Sequence, residues 1–373
     1  MNISIKGLIV PSLALFAAFG AASCSDEETL SADVSKVSEA PSFTDTRDGK
    51  TYRCIKVGDQ IWTVDNLAYY PPEGAAAGCL TWDENSTDFT LDDLKIDTTG
   101  IVVEITDDKY KEIYTALAND PAHDWQAEAG VSKGMLITYI NNFFDTYGQE
   151  QFTQMMAYYK PFYQQLLLQL EAYRTAQREQ YIKDETERKA RIPLDHRDKA
   201  EAENGNYSQT YGYLYSLPAA LIAVPKEGGW RLPTDEDWKK LELALGMCSC
   251  EVDEINAWRG LDRSIGAAIK KGGAAKFDAI MGGCNAYQRT NEELYINQGD
   301  AAYFWASDTT TVQQEEEDED AGTTEGGTTI VVYTRGIVRQ VSIYSEGVWR
   351  GETRIDNKYR PVAYSVRLVR DAD

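Results

Sequence analysis

Histidine is almost missing from this chain. Only His123 and His196 occur in 373 residues, both far in sequence from any serine or cysteine in a strained turn. That scarcity excludes a histidine-dependent triad or a zinc cluster as the basis of function. Cations are also short, with 37 Lys and Arg against 60 Asp and Glu and a formal net charge of −23. Such a surface repels a nucleic-acid backbone, and its acidity serves solubility. No apolar run beyond residues 7–22 approaches membrane length, and that one is short and interrupted by Pro11, so no membrane span is expected. No heptad pattern persists long enough for a coiled coil. Cysteine is sparse: with Cys24 set aside, Cys54, Cys79, Cys248, Cys250 and Cys284 remain. An odd number in an exported chain leaves at least one thiol free or paired between molecules. Bonds among Cys248 or Cys250 and Cys284 are plausible, although spacing does not fix connectivity. A Cys-x-Cys metal site would need further thiols or histidines nearby, so structural cysteines and no metal are expected.

What is present begins with a leader. "MNISIK" carries one cation, Lys6, and "GLIVPSLALFAAFGAA" is apolar and ends in small residues before Cys24, the pattern of a secretory signal. Removing Lys6 with the leader takes the charge from −23 to −24. The stretch "AASC" resembles a bacterial lipoprotein signal, with Ala21 where leucine is commonest, and "CSDEE" resembles the serine-plus-acids signal that directs Bacteroidetes lipoproteins to the outer face of the outer membrane. Residues 1–23 are therefore read as signal peptide, Cys24 as the lipidated residue, and the membrane as a partner through that lipid.

Residues 24–46 are polar, acidic and rich in serine and threonine, the composition of a flexible tether. A β-hairpin follows in "TYRCIKVGDQIWTV", with Gly58-Asp59 as its turn. Residues 88–204 change character. Helix-compatible spacing runs over 106–118, 131–147 and 149–191, and Phe162, Leu166, Leu170 and Tyr173 form one stripe. Pro161 starts or kinks the last helix, Pro193 ends it, and the charged "IKDETERKARI" reads as its solvated end. From 205 to 373 the composition returns to β and turn residues. In "GGWRLPTDEDW", Thr234 is an N-cap with Asp237 in capping-box position, and Asp235, Glu236 and Asp237 read as solvated partners of the helix dipole. Trp238, Leu241 and Leu245 would face inward. The run at 313–327, with six consecutive acids, reads as an exposed loop rather than a calcium loop, whose ligands are spaced by turn residues.

"DGKTYRCIKVGDQIWTVDNLAYY", "YGYLYSLPAA", "GGWRLPTDEDWKKL", "FDAIMGGCNAY", "YFWASD" and "YSVRLVRD" occur in the order of the Fibrobacter succinogenes major paralogous domain family, which the chain resembles over roughly 46–87 and 205–371. The family is similar to the C-type-lectin-like superfamily and its formylglycine-generating enzymes. The resemblance implies an α+β fold, a C-type-lectin-like mixed domain with twisted antiparallel strands and flanking helices. Residues 47–87 form its first part, 205–373 the remainder, and 88–204 an all-helical insertion. The family-motif positions, read as mainly structural, are Asp48, Gly49, Trp62, Asn66, Leu67, Tyr211, Gly212, Trp230, Arg231, Leu232, Pro233, Thr234, Trp238, Trp305, Ser307, Val366 and Arg367.

Membership of a fold does not carry chemistry with it. The copper-holding cysteine pair of formylglycine-generating enzymes has no counterpart, since no cysteine follows Cys284, and the calcium-lectin motifs are missing too. Carboxylates abound without any pair singled out as a glycosidase couple. The expected function is thus a surface-exposed, non-catalytic binding or adhesion module for a glycan or protein, without cofactor or catalytic residue. The alternative is a carboxylate-dependent hydrolase or protein-modifying enzyme on the same scaffold.

Overall fold

The computed structural model describes residues 30–85, 88–286, 295–317, 328–356 and 362–372. The leader, Cys24 and residues 318–327 of the acidic run lie outside the described residues. In chain order the strands are β1 (Val37–Thr44), β2 (Thr51–Val57), β3 (Gln60–Thr63), β4 (Cys79–Leu80), β5 (Leu214–Tyr215), β6 (Ala257–Arg259), β7 (Gly282–Asn285), β8 (Tyr295–Gln298), β9 (Ala301–Glu317), β10 (Thr328–Ser342), β11 (Val348–Arg354) and β12 (Val369–Asp371). The helices are α1 (Asp107–Ala118), α2 (Trp125–Ala129), α3 (Lys133–Met156), α4 (Lys160–Glu203), α5 (Tyr207–Tyr211), α6 (Leu217–Ala223), α7 (Asp235–Ala244) and α8 (Ile265–Ile269). The chain is a mixed α+β protein. One sheet runs β1-β2-β3-β12, a larger one β6-β11-β10-β9-β7-β8, and β4 pairs with β5. All pairings are antiparallel except a short parallel contact of β7 with β9.

The expected hairpin is β2 and β3, in register Ile55↔Trp62, turned by Gly58 at φ 62°, a left-handed conformation that glycine adopts without strain. β12 adds to it through Val369↔Trp62, which brings the first and last strands of the described residues into one sheet.

The tether expectation for 24–46 fails from Asp33 onward. Asp33 N donates to Leu245 O at 2.8 Å, and β1 pairs with β2 from Val37↔Val57 to Thr44↔Thr51. A bulge between Ala40 and Phe43 sets the inward side chains at Val37, Ala40 and Phe43, so the strand lacks the alternation by which strands are recognised. Pro41 on this edge strand discourages pairing with further strands.

Helices α1 to α4 enclose their own core around Tyr110, Tyr114, Phe144, Phe152, Phe162 and Leu166. The expected stripe is there: Phe162, Leu166 and Leu170 are buried, with Tyr173 packed beside them. Pro161 sits in the first turn of α4, where its missing N–H costs nothing. Pro193 does not end the helix, which runs on to Glu203, and the charged segment 182–192 lies mid-helix rather than at a helix end. Outside contacts hold the chain helical across the proline: Ile192 joins Phe89 and Tyr207 in a small core, and the Tyr70 hydroxyl lies 3.3 Å from the Pro193 carbonyl. Tertiary packing here outweighs the lost backbone bond. The acidic run differs as well, since residues through Glu317 belong to β9 and pair with β10 rather than forming a loop.

Candidate functional site

Motifs separated by three hundred residues meet in one polar knot. Arg367, fully buried, donates Nε to Asn66 Oδ1 at 2.6 Å and its terminal nitrogens to the carbonyls of Thr63, Val64, Phe277 and Asp278. Asn66 Nδ2 donates to Tyr211 O and Ser365 Oγ. Gly212, at φ 74°, packs against Leu67 O, so that a Cβ there would stand 2.6 Å from that oxygen. Trp62 and Trp238 lie 4.8 Å apart, and Trp238 Nε1 donates to Trp305 O while Trp305 Nε1 donates to Tyr215 O. Leu67, Leu232 and Val366 are buried, Trp230 nearly so, and Ser307 N donates to Pro233 O. Asp48 and Gly49 form the turn before β2, Gly49 N donating to Asp45 O.

Thr234 and Asp237 form the expected capping box. Glu236 is exposed as expected, but Asp235 and Asp237 are buried and paired, which corrects the dipole-only reading for those two. Asp235 takes Arg350 through both carboxylate oxygens and Arg339 through Oδ1. Glu242, fully buried, holds Arg259 in a two-point contact and also Arg339. Asp237 takes Gln60 and Arg231, and Arg231 also reaches Asp371. Burial opposes ionisation of Asp235, but the hydrogen bonds and charges of Arg350 and Arg339 outweigh it and hold the carboxyl far below the usual range. The helix is therefore clamped to β10, β11 and β6 by charge.

Cys248 and Cys250 are bonded to each other, and Cys54, Cys79 and Cys284 are buried free thiols, so Cys284 does not join them. Burial raises Cys54 to about 11 and Cys284 to about 12, which leaves both unreactive at neutral pH.

Two clefts lie beside the β1–β2 hairpin. The first, about 400 Å³, is walled by Phe43, Tyr69, Pro71, Pro72, Ile222 and Pro225, with Asp45 and Arg47 also among its lining residues. Arg47 is immobilised: Nε and Nη2 hold Asp45, Nη2 also reaches Ala223 O at 2.7 Å, and the guanidinium lies 3.7 Å from the Tyr69 ring centre. Among the described residues Nη1 carries no hydrogen bond. Burial works against the Asp45 charge, but Arg47 more than offsets it and keeps the carboxyl below its ordinary range. Leu221 and Ile222 are exposed on α6, and apolar surface beside a cleft marks contact sites. The second cleft, about 420 Å³, is polar, lined by Lys50, Arg53, Asp65, Asn66, Gly212 and Lys271 among others. Of the family-motif positions, Asn66 and Gly212 reach it, whereas none lines the first. Phe43 and Arg47 escaped sequence reading because they fall at the end of the supposed tether and beside the hairpin's opening turn, without a motif of their own.

The chain is thus a mixed α+β protein with clefts on its β-rich part. Residues 169–370, 202 of the 373, match the Fibrobacter succinogenes major domain, and the chain belongs to that family. The match starts inside α4, after the β1–β3 region that completes the sheet with β12. No curated protein and no solved structure matches the chain.

Proposed function

We propose that this protein is a non-catalytic binding module, held by lipid on Cys24 at the outer face of the outer membrane, that engages a glycan or protein in the cleft at Arg47. Its body is read as C-type-lectin-like, with residues 88–204 inserted as a helical lobe. The observation that carries the reading is the chemistry of the cleft: apolar and ring-shaped walls around a guanidinium whose charge Asp45 already balances. Such a pair supplies an N–H donor of fixed direction without net charge, which suits a neutral acceptor such as a sugar hydroxyl or a peptide carbonyl. It is poor equipment for acid–base chemistry, because Asp45 stays ionised and hydrogen-bonded.

The test combines a glycan array and a pull-down with a turnover assay on whatever binds. Saturable binding without product, weakened at least tenfold by Phe43→Ala or Arg47→Ala, supports the reading, whereas product formation moves the protein to the hydrolase or modifying-enzyme alternative. Cys24→Ala should shift the chain from the membrane fraction to the soluble fraction or to retained precursor; unchanged partitioning would remove the anchor from the proposal.

A further inference from the structure

A second surface lies away from the cleft, on the larger sheet. Four side chains stand in register across adjacent strands: Trp258 of β6 faces Trp349 of β11, Trp349 faces Gln340 of β10, and Gln340 faces Tyr303 of β9. All four are half-buried. The neighbouring row, Arg350, Arg339 and Phe304, points to the opposite face and is buried. Side-chain alternation thus sets one row in a line across the strands, ending at Tyr303, whose ring stacks on Tyr364 with centres 5.4 Å apart and whose hydroxyl accepts from Asn297 Nδ2. With strands about 4.8 Å apart, three steps make a strip roughly 14 Å long.

The strip is built rather than incidental. Trp349 lies against Gly351, where a Cβ would come within 2.4 Å of the indole nitrogen. The missing side chain lets the indole lie along its own strand as a floor. Trp258 stands against it at 62° with ring centres 5.8 Å apart, as a side wall. The buried tryptophans Trp62, Trp125, Trp238 and Trp305 each donate their indole N–H within the protein. Among the described residues neither Trp258 nor Trp349 has such an acceptor, and the Gln340 amide is unpartnered as well. Unpartnered donors and an amide beside aromatic faces match a ligand that is apolar on its ring faces and hydroxylated at its edges.

Charge narrows the class. Arg350 and Arg259, next to the two tryptophans in sequence, turn to the opposite, buried face, where Asp235 and Glu242 hold them, and the chain is strongly acidic. A uronate, sulfated or phosphorylated ligand would meet no cation among the four residues of the strip. We propose that the Trp258–Trp349–Gln340–Tyr303 strip binds a neutral, flat, linear oligosaccharide, with pyranose rings stacked on Trp349 and hydroxyls bonded to Gln340 and the indole N–H groups. Ring C–H groups meet the negative aromatic face favourably. The line of the strip selects an extended β-1,4-linked chain over a single sugar or a curved α-linked one.

This inference rests on the binding-module reading but is independent of the cleft. The intact chain in detergent micelles would be titrated with cellohexaose, mannohexaose and chitohexaose, with maltohexaose as the curved comparison, while tryptophan fluorescence is followed. At least one of the first three should give saturable binding, with maltohexaose at least tenfold weaker. Trp349→Ala and Trp258→Ala should each lose at least tenfold in affinity. Gly351→Ala, which keeps every aromatic but lifts the floor, should lose a comparable factor, and Gln340→Ala, which leaves the sheet intact, should lose several-fold. Thermal melts would confirm that each variant is folded, and Gln340→Ala together with Trp258→Ala on the edge strand would carry the test if the β11 variants are not. Failure of all three flat hexasaccharides to bind, or binding that survives the strip variants within twofold, overturns the strip. Loss of that binding in Phe43→Ala alone would overturn it while leaving the cleft reading standing.

Discussion

At the residue scale, the acids of "PTDEDWKKLE" show how far a sequence can be read. Capping geometry was legible, because Thr234 and Asp237 stand three residues apart and need nothing from the rest of the chain. The destination of Asp235 and Glu242 was not, because Arg259 arrives from a strand 17 residues beyond Glu242 and Arg339 and Arg350 from strands 104 and 115 residues beyond Asp235. Buried ion pairs contribute little over an apolar substitute, yet removing one partner strands the other. Glu242→Ala leaves Arg259 and Arg339 without their shared carboxylate, and a loss of about 3–5 kcal/mol is expected, measured as a fall in urea midpoint with an unchanged slope. A variant within 1 kcal/mol of the parent would show that water or another acid replaces Glu242. The cleft follows the same rule: Arg47 is one residue from a turn that the sequence announces, and its role comes from Tyr69 and Ala223, which the sequence does not place beside it.

At the element scale, long periodic helices were legible and their ends were not. The stripe of α4 was visible because it needs only local spacing, whereas its passage through Pro193 depends on Tyr70, Phe89 and Tyr207 packing from elsewhere. β1 was missed for the converse reason, since a bulged strand with inward residues at every third position resembles a polar linker. Where α4 returns to the sheets, Thr81 joins two carboxylates: its N–H donates to Glu84 and its hydroxyl to Glu201. Tyr70 Oη also donates to Glu84, and Arg197 lies among the charges acting on it. Burial dominates and raises Glu84 from 4.5 to about 7. Below about pH 4.5 the group is protonated whether the chain is folded or not. Between 4.5 and 7 the folded chain keeps a proton that the unfolded chain releases, so stability falls as pH rises, by roughly 3 kcal/mol once pH is well above 7. Glu84→Gln should flatten that decline in a series of melts from pH 5 to 8, and an equally steep decline in the variant would place the titrating group elsewhere.

At the scale of the whole molecule, the helical core and the β-rich body keep separate apolar interiors and touch through the ends of the helical segment. Lys189 Nζ donates to Asp93 O at 2.7 Å, so the chain leaves and re-enters at nearly one point. Replacing residues 98–185 by a short Gly/Ser link should leave the body folded with one cooperative melt and a large loss of helical circular dichroism; aggregation or a molten spectrum would show that the lobe is part of the body's core. Surface loops tolerate such excursions because loop closure grows only slowly with length. The early capture of Asp33 by Leu245 has a mechanical side as well. Eight residues, 25–32, separate Cys24 from Asp33, and fully stretched they reach about 29 Å at most. A lipid at Cys24 would put the body on a short leash, close to the headgroups and restricted in the directions it can turn, so that a ligand must come down to the membrane instead of being fished from the medium above it.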